Sequence, residues 1–426
     1  MDARDQRIGI DQLRVGLYIR LEDWMEHPFL FNSFKIRNEK QLKTLRSLGI
    51  QHVIYVREKS DLAPLPAPVG DAPSAPRSPA QPDPEVAAMW QAKKARREKL
   101  SLQREALGRC EKRFSTGMAT VKGLLRDLFS RPAQSLAQAQ GLVAEMVDSL
   151  LAEKDVVLHL MNAKAGDENA YYHVLNVTVL SLMLGKAAGL DAETMRDLGL
   201  GALLHDLGKE KVPSQILLKK TAWSTAERNF YQQHVRYGVE MARLLPGIAP
   251  SVLEVVAMHH ELLDGTGFPD RLQAEGIGLL ARIVCIANAF DNYCNRVNPA
   301  DSMSPAEAIR YMFRREAGKY DARLMQLFIQ AMGVYPPGSL VQLSNGAIGL
   351  VMSVNPGRLL HPGLLLHDPD VPKEEALWLD LAEMEDLKVE KVLRPDELDR
   401  AVYDYLQPRS RVNYFAESSV STKRTQ

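Results

Sequence analysis

The chain has little cysteine: three thiols, Cys110, Cys285 and Cys294, in 426 residues. So few, at such irregular spacing, exclude a disulfide framework and a thiolate zinc knuckle, and they fit a reducing compartment. An excess of charge is missing as well, with 53 Lys and Arg against 53 Asp and Glu. No global field exists to hold polymeric nucleic acid or an anionic membrane, so a charged ligand has to be recognised locally. Long apolar runs are also absent. The most apolar stretch, residues 174–184, carries Asn176, Thr178 and Ser181 and is too short to span a bilayer. The opening MDARDQRIGI mixes both charge signs and lacks the basic-then-apolar grammar of a secretory leader. A cytoplasmic protein without a transmembrane segment is expected, with length enough for two or three domains.

What is present divides by pattern. Residues 1–59 alternate β-like runs with one helix, opened by Asn38 with Gln41 three residues on and closed by Gly49. They read as a small N-terminal α+β regulatory module. Residues 60–85 hold eight of the 24 prolines and read as an extended linker. Residues 86–154 are a helical connector, charged in its first half and more apolar in its second, with Pro132 separating two helices. They read as an antiparallel pair packed on the next domain, or as a dimerising, signal-transmitting coiled coil. No strict heptad persists over three repeats, which leaves a homodimer through this connector as the second reading.

Residues 155–335 are densely helical, six or seven helices with no convincing strand, an all-α domain. Helix starts are read at Ser224 with Glu227 for the helix bearing His234, and at Ser251 with Glu254 for the helix bearing His259 and His260. A third start is Ser304-Pro305-Ala306-Glu307, and Gly333 suits the end of the last helix. Residues 336–409 turn to β structure, with a hairpin of 340–343 and 348–354 around Ser344-Asn345-Gly346 and further strands near 364–366 and 377–379. Residues 410–426 read as a polar, frayed tail. The expected fold is multidomain and mainly α, with small N-terminal α+β and C-terminal β units.

Of ten histidines, five (His173, His205, His234, His259 and His260) fall between residues 173 and 260. His205 is followed at once by Asp206. Imidazole suits Fe, Mn, Zn and Ni, and a carboxylate bridges two cations and offsets their charge. Each candidate lies near the end of an apolar helical run, where a rigid element can aim it. His27, His52, His159, His361 and His367 have no such setting and read as structural.

The segment from about residue 167 to 333 resembles the HD-GYP family, bacterial cyclic di-GMP phosphodiesterases of the wider HD hydrolase superfamily. The resemblance rests on HDLGK at 205–209, His234 to Gly238 as H-x-x-x-G, HHELLDGTGFP at 259–269 and ARIVCIANAFDNYCN at 281–295. The N-terminal module is similar to the uncharacterised domain that often precedes this catalytic unit. The resemblance implies that His173, His205 and Asp206 hold one divalent metal and that His234, His259 and His260 hold a second, with Asp206 bridging. Fe or Mn is favoured, with Ni and Zn as alternatives. It also implies a hydroxide shared by the two cations as nucleophile, Lys209 beside Asp206 as a cation for the phosphate, and Gly265, Gly267, Phe268 and Pro269 against the substrate, with Asp264 orienting a ligand histidine.

Several positions depart from the family pattern. Asn288 stands where the superfamily usually has its last metal-binding Asp; an amide oxygen still coordinates but brings no charge, so metal affinity should fall. Asp291, one turn on, is a compensating or supporting carboxylate. Phe268 replaces the signature Tyr, and Leu262 replaces a common Arg, leaving Arg296 as the basic residue near the phosphate-contact region. Asn169 stands where trinuclear members carry Glu, so two metals are expected rather than three.

The function implied is hydrolysis of cyclic di-GMP to pGpG and onward to GMP, lowering a second messenger that controls biofilm and motility. The alternative is an attenuated receptor or protein-interaction scaffold with little turnover, for which Asn288 speaks. An HD-type hydrolase of another cyclic dinucleotide is the third reading. Partner signalling proteins are expected beside the nucleotide.

Overall fold

The computed structural model of the chain describes residues 5–22, 27–29, 31–67, 84–152, 156–161, 169–355, 357–369, 371–373, 376–384, 386–407 and 412–418. Most of the expected linker, residues 68–83, lies outside them. The chain divides into two compact units, Met1–Glu105 with His367–Trp378, and Ala106–Leu366 with Leu379–Gln426. Among the described residues no helix is long and apolar enough to cross a membrane.

The first unit holds strands β1 (Asp5–Gly9), β2 (Tyr18–Arg20) and β3 (Ser33–Lys35), helix α1 (Glu39–Ser47) and strand β4 (His52–Val56). The strands form one antiparallel sheet in the order β1-β4-β2-β3. Its buried face (Ile8, Leu17, Ile19, Val53, Tyr55) packs with Leu42 and Leu45 of α1. The helix starts where the sequence places it: the Asn38 side chain accepts from the Gln41 N–H at 2.9 Å, a cap that contributes about 1 kcal/mol.

Helix α2 (Pro84–Asp127) is followed by α3 (Pro132–Leu151), with Pro132 in the first turn where its missing N–H costs nothing. Phe114, Met118, Val121 and Leu124 of α2 share one core with Leu136, Val143 and Val147 of α3 and with the helices that follow. The second unit then runs through strand β5 (Val156–Met161), α4 (Asn169–Ala187), α5 (Ala192–Leu204) and a 3-10 turn at Leu207–Lys211. Helices α6 (Ser214–Leu217), α7 (Thr225–Gln232), α8 (His234–Ala242), α9 (Pro250–Met258), α10 (Leu279–Cys294), α11 (Pro305–Arg314) and α12 (Ala322–Met332) complete its helical part. Every residue of α4 from Tyr172 to Gly185 is buried, so this helix is the axis of the domain, and α5, α10 and α12 pack around it. Strands β6 (Leu340–Leu343), β7 (Ile348–Ser353), β8 (Gly363–Leu366), β9 (Trp378–Asp380) and β10 (Val389–Leu393) form a sheet in the order β10-β6-β7-β8-β9. Short helix α13 (Arg400–Leu406) precedes strand β11 (Asn413–Ser418).

Four expectations need correction. The helical domain is not free of strands: β5 pairs antiparallel with β11 along its whole length. That strand occupies the stretch expected to fray, because Val412, Tyr414 and Phe415 have a core to enter. Ser224 with Glu227 does form a capping box, but on α7, and His234 opens the separate helix α8. Ser251 caps nothing: Ala249 is the N-cap of α9, Pro250 fills the first turn, and the Ser251 hydroxyl donates to Asp197.

Candidate metal centre

Five histidines and one aspartate meet inside the second unit, each at the end of a helix. His173 comes from the first turns of α4. His205 caps α5, and Asp206 follows it at the start of the 3-10 turn. His234 begins α8, His259 caps α9, and His260 is next to it. A helix terminus frees the side chain from the packing that surrounds mid-helix positions while the buried body of the helix fixes its direction. Two glycines make the approach close enough. A Cβ on Gly208 would collide with the His234 carbonyl, and one on Gly267 with the backbone of His260, Glu261 and Leu262.

Asp206 lies between two groups of imidazoles. Its Oδ2 is 3.2 Å from His173 Nε2 and 3.3 Å from His205 Nε2, whereas Oδ1 is 3.5 Å from His234 Nε2 and 3.8 Å from His259 Nε2. Two clusters follow, His173-His205-Asp206 and Asp206-His234-His259-His260, each able to hold one ion with Asp206 common to both. The donor set fits divalent metals. His205, His234 and His259 direct Nδ1 at the carbonyls of Ala202, Tyr231 and Val256, at 2.7, 2.6 and 2.9 Å. A carbonyl only accepts, so each Nδ1 carries the proton and each Nε2 presents a lone pair to the centre. Facing Nε2 atoms lie 3.3 Å apart for His205 and His173 and 3.4 Å for His234 and His259, lone pair towards lone pair, an arrangement a cation relieves. Among the described residues, Asp206 Oδ1 and His260 Nε2 are buried and find no hydrogen-bond partner, which costs free energy unless a ligand meets them.

The electrostatics divide along the same line. Burial, followed by the charge of neighbouring imidazoles, holds His259 and His260 well below the usual histidine range, and burial above all pushes His234 down to about 4. These rings are neutral at pH 7, as metal ligands must be. At His173 burial works in the same direction but is outweighed by the two carboxylates beside the ring, Asp206 and Asp291, which raise it. Burial would raise Asp206, yet the charge of Lys209 and the neighbouring His173 hold it well below the carboxylate range.

The other expected site residues fall out unevenly. Lys209 Nζ donates to Asp206 Oδ2 at 2.5 Å and lies 5.5 Å over the Tyr231 ring; despite burial, Asp206 raises its pKa. Phe268 stacks on His260, centroids 4.4 Å apart, and its bond to Pro269 is cis. Gly265 takes φ +76° in the turn before it. Asn288 is buried on α10, and its side-chain oxygen accepts from Asn292 at 2.7 Å. Arg296 is exposed just past α10, over the Tyr293 ring at 5.0 Å. Asp264 does not orient a ligand histidine: it is exposed, and its Oδ1 is taken by the Thr266 N–H and hydroxyl. Asp291 is the carboxylate that holds a histidine, with Oδ2 2.5 Å from His173 Nδ1. Sequence reasoning noted Glu261 beside the His pair but gave it no role. It is buried beside the His pair, and its carboxylate accepts from the backbone N–H groups of Asp270, Arg271 and Leu272, which fixes the loop carrying Phe268. A carboxylate directly after two candidate ligands was the available signal.

Residues 5–139 match a family described as a domain of unknown function, DUF3391, and residues 145–324 match the family described as HD domain. The chain is 32% identical over 361 residues to the cyclic di-GMP phosphodiesterase PA4108 of Pseudomonas aeruginosa, covering 84% of each protein. The chain belongs to the HD-GYP family. Other relatives match over shorter stretches. The response regulator RpfG of Xanthomonas campestris, a cyclic di-GMP phosphodiesterase, is 28% identical over 204 residues, covering 46% of this chain and 53% of that protein. The 3'3'-cGAMP-specific phosphodiesterase 2 of Vibrio cholerae is 31% identical over 188 residues, covering 43% of this chain and 36% of that protein.

Proposed function

We propose that this HD-GYP protein hydrolyses cyclic di-GMP, opening the ring to pGpG. The observation that carries the reading is the single carboxylate of Asp206, whose two oxygens face two separate groups of imidazoles. The activity named for the relative that spans most of the chain supports the substrate. In the proposal His173, His205 and Asp206 hold one divalent ion, and Asp206, His234, His259 and His260 the other. Fe or Mn is the first choice, since imidazole with one carboxylate suits both. Bound there, the ions supply Lewis acidity and lower the pKa of water at neutral pH.

The chain's own groups do the rest. Asp206 stays ionised and keeps both clusters in register. The ammonium of Lys209 meets the charge that develops on a non-bridging phosphate oxygen. Phe268 forms an aromatic wall beside His260, and the backbone of Gly265 and Gly267 admits a phosphate close to the His pair. Cis-Pro269 and Arg296 complete the substrate side, and Asp291 stands behind His173. Asn288 Oδ1 accepts from Asn292 and keeps a second lone pair for the His173-side ion, but it brings no charge to it. That missing charge favours the second reading, a receptor that binds the nucleotide and turns it over slowly.

Purified protein reconstituted with Mn(II) or Fe(II) and offered cyclic di-GMP, with 3'3'-cGAMP in parallel, tests this. About two metals per chain, release of pGpG from cyclic di-GMP, and no cleavage by His205→Ala are expected. Binding without turnover under both metals establishes the receptor instead, and preferential cleavage of 3'3'-cGAMP reassigns the substrate. Product analysis over time shows whether pGpG is carried on to GMP.

A further inference from the structure

Strand β11 has so far only a structural part, yet it ends against the metal centre. Resting on the reading of two metal half-sites, we propose that residues 412–414 are a working part of the His173 half. Their backbone sets the sense of two amide side chains, those amides hold Asp291, and Asp291 aims and polarises His173.

Asp291 is 1% exposed, and burying an ionised carboxylate costs several kcal/mol unless donors surround it. Its Oδ2 faces His173 Nδ1, while Oδ1 accepts from Asn176 Nδ2 at 2.5 Å and from Asn295 Nδ2 at 2.7 Å. An amide side chain is two-sided, and a half-turn exchanges its NH2 for its oxygen. The wrong sense would turn two oxygens on the carboxylate. The strand decides the sense at both positions. The Tyr414 N–H donates to Asn176 Oδ1 at 2.7 Å and the Val412 N–H to Asn295 Oδ1 at 2.8 Å; neither could donate to an NH2. The Val412 carbonyl then accepts from both amides, at 3.3 and 2.8 Å.

A seam that only closed the domain would not need this order, since pairing with β5 and the buried Tyr414 ring already hold the strand. The network instead ends on His173, whose Nδ1 meets a carboxylate where those of His205, His234 and His259 meet backbone carbonyls. A carboxylate behind a ligand histidine fixes its tautomer and raises its basicity, and loss of such a partner typically costs about 10- to 100-fold in metal affinity. Asn176, Asn295 and the backbone of Val412 are therefore positioning groups for the metal on the His173 side.

The test is a two-site Mn(II) titration of the full chain, read by calorimetry and by the Mn(II) resonance. Wild type takes up two ions. In Asn295→Ala one ion keeps its affinity, the other weakens about 10- to 100-fold, and excess Mn(II) restores cleavage. Tyr320→Phe, which removes a buried hydroxyl that donates to Glu316 outside this network, keeps both affinities. If Asn295→Ala does not fold, Asn295→Ser carries the comparison, since it keeps a polar side chain there but gives up the amide that bonds Asp291. Unchanged affinity at both sites, or equal loss at both, overturns the proposal. A wild-type protein that takes up no Mn(II) overturns the metal reading beneath it, a result distinct from either.

Discussion

The stretch from His205 to Pro269 and the surroundings of His173 hold the candidate ligands by opposite means. In the first, support is local. His205, His234 and His259 each bond a carbonyl three residues back, and Glu261 ties down the loop nine to eleven residues ahead of it. In the second, support is remote: Asp291 is 118 residues from His173, and Tyr414 is 238 from Asn176. Local support is written into one helix end and survives changes elsewhere. Remote support makes a ligand depend on how well distant segments are packed, so the His173 half is where the site is most open to adjustment.

Three substitutions break or sharpen that contrast. The largest effect is expected from Lys209→Met, which removes the cation beside Asp206. The rate of cleavage at saturation should fall about 10²- to 10³-fold, as for a lost transition-state donor, while both metals stay bound. Steady-state kinetics with metal analysis checks both parts, and loss of the metals would mark Lys209 as a structural counter-ion. Next comes Asn288→Asp, which adds a charge on α10 and should tighten one metal about tenfold, with turnover at limiting metal rising accordingly. An unchanged titration would leave Asn288 as a partner of Asn292 alone.

The smallest effect is expected from Glu227→Gln on the local side. Glu227 is pulled down to about 2 by its bond to Lys219 and by the Ser224 cap at the start of α7, the helix that leads to His234. A carboxylate lowered in the folded state stabilises above its unfolded pKa and loses that contribution as pH falls through the folded value. The melting temperature of the variant should therefore sit slightly below wild type at pH 7. The gap should persist down to about pH 4.5 and shrink as pH falls towards 2. A gap independent of pH would show that charge at this cap is immaterial.

The contrast also explains what the sequence made legible. His205-Asp206 and His259-His260 are contiguous, and the glycines beside them are read in place, so the local side was open to inspection. So were the Asn38 and Ser304 caps, the proline that starts α3 and the hairpin of β6 and β7, because each is set by residues a few positions apart. Asp291 was read as a compensating or supporting carboxylate one turn past Asn288, but not as the partner of His173, since nothing in its own segment points to residue 173. Asn176 was taken as a polar interruption in an apolar run and Tyr414 as part of a frayed tail. Both belong to contacts that exist only after the chain has closed on itself. The separate helix at His234 was missed for a different reason: the capping box of α7 is genuine, but a cap marks where a helix starts and says nothing of where it stops.

The pairing of β5 with β11 has a further consequence, for the order in which the molecule is made. Domains acquire structure as they leave the ribosome, at about 5–20 residues per second, and contacts distant in sequence come last. Residues 156–161 have no partner until 413–418 have emerged, long after the His205 to Pro269 stretch has been synthesised. A nascent chain can therefore settle its helices early and still lack the strand behind His173, so the candidate metal centre has its full surroundings only when synthesis has passed residue 418.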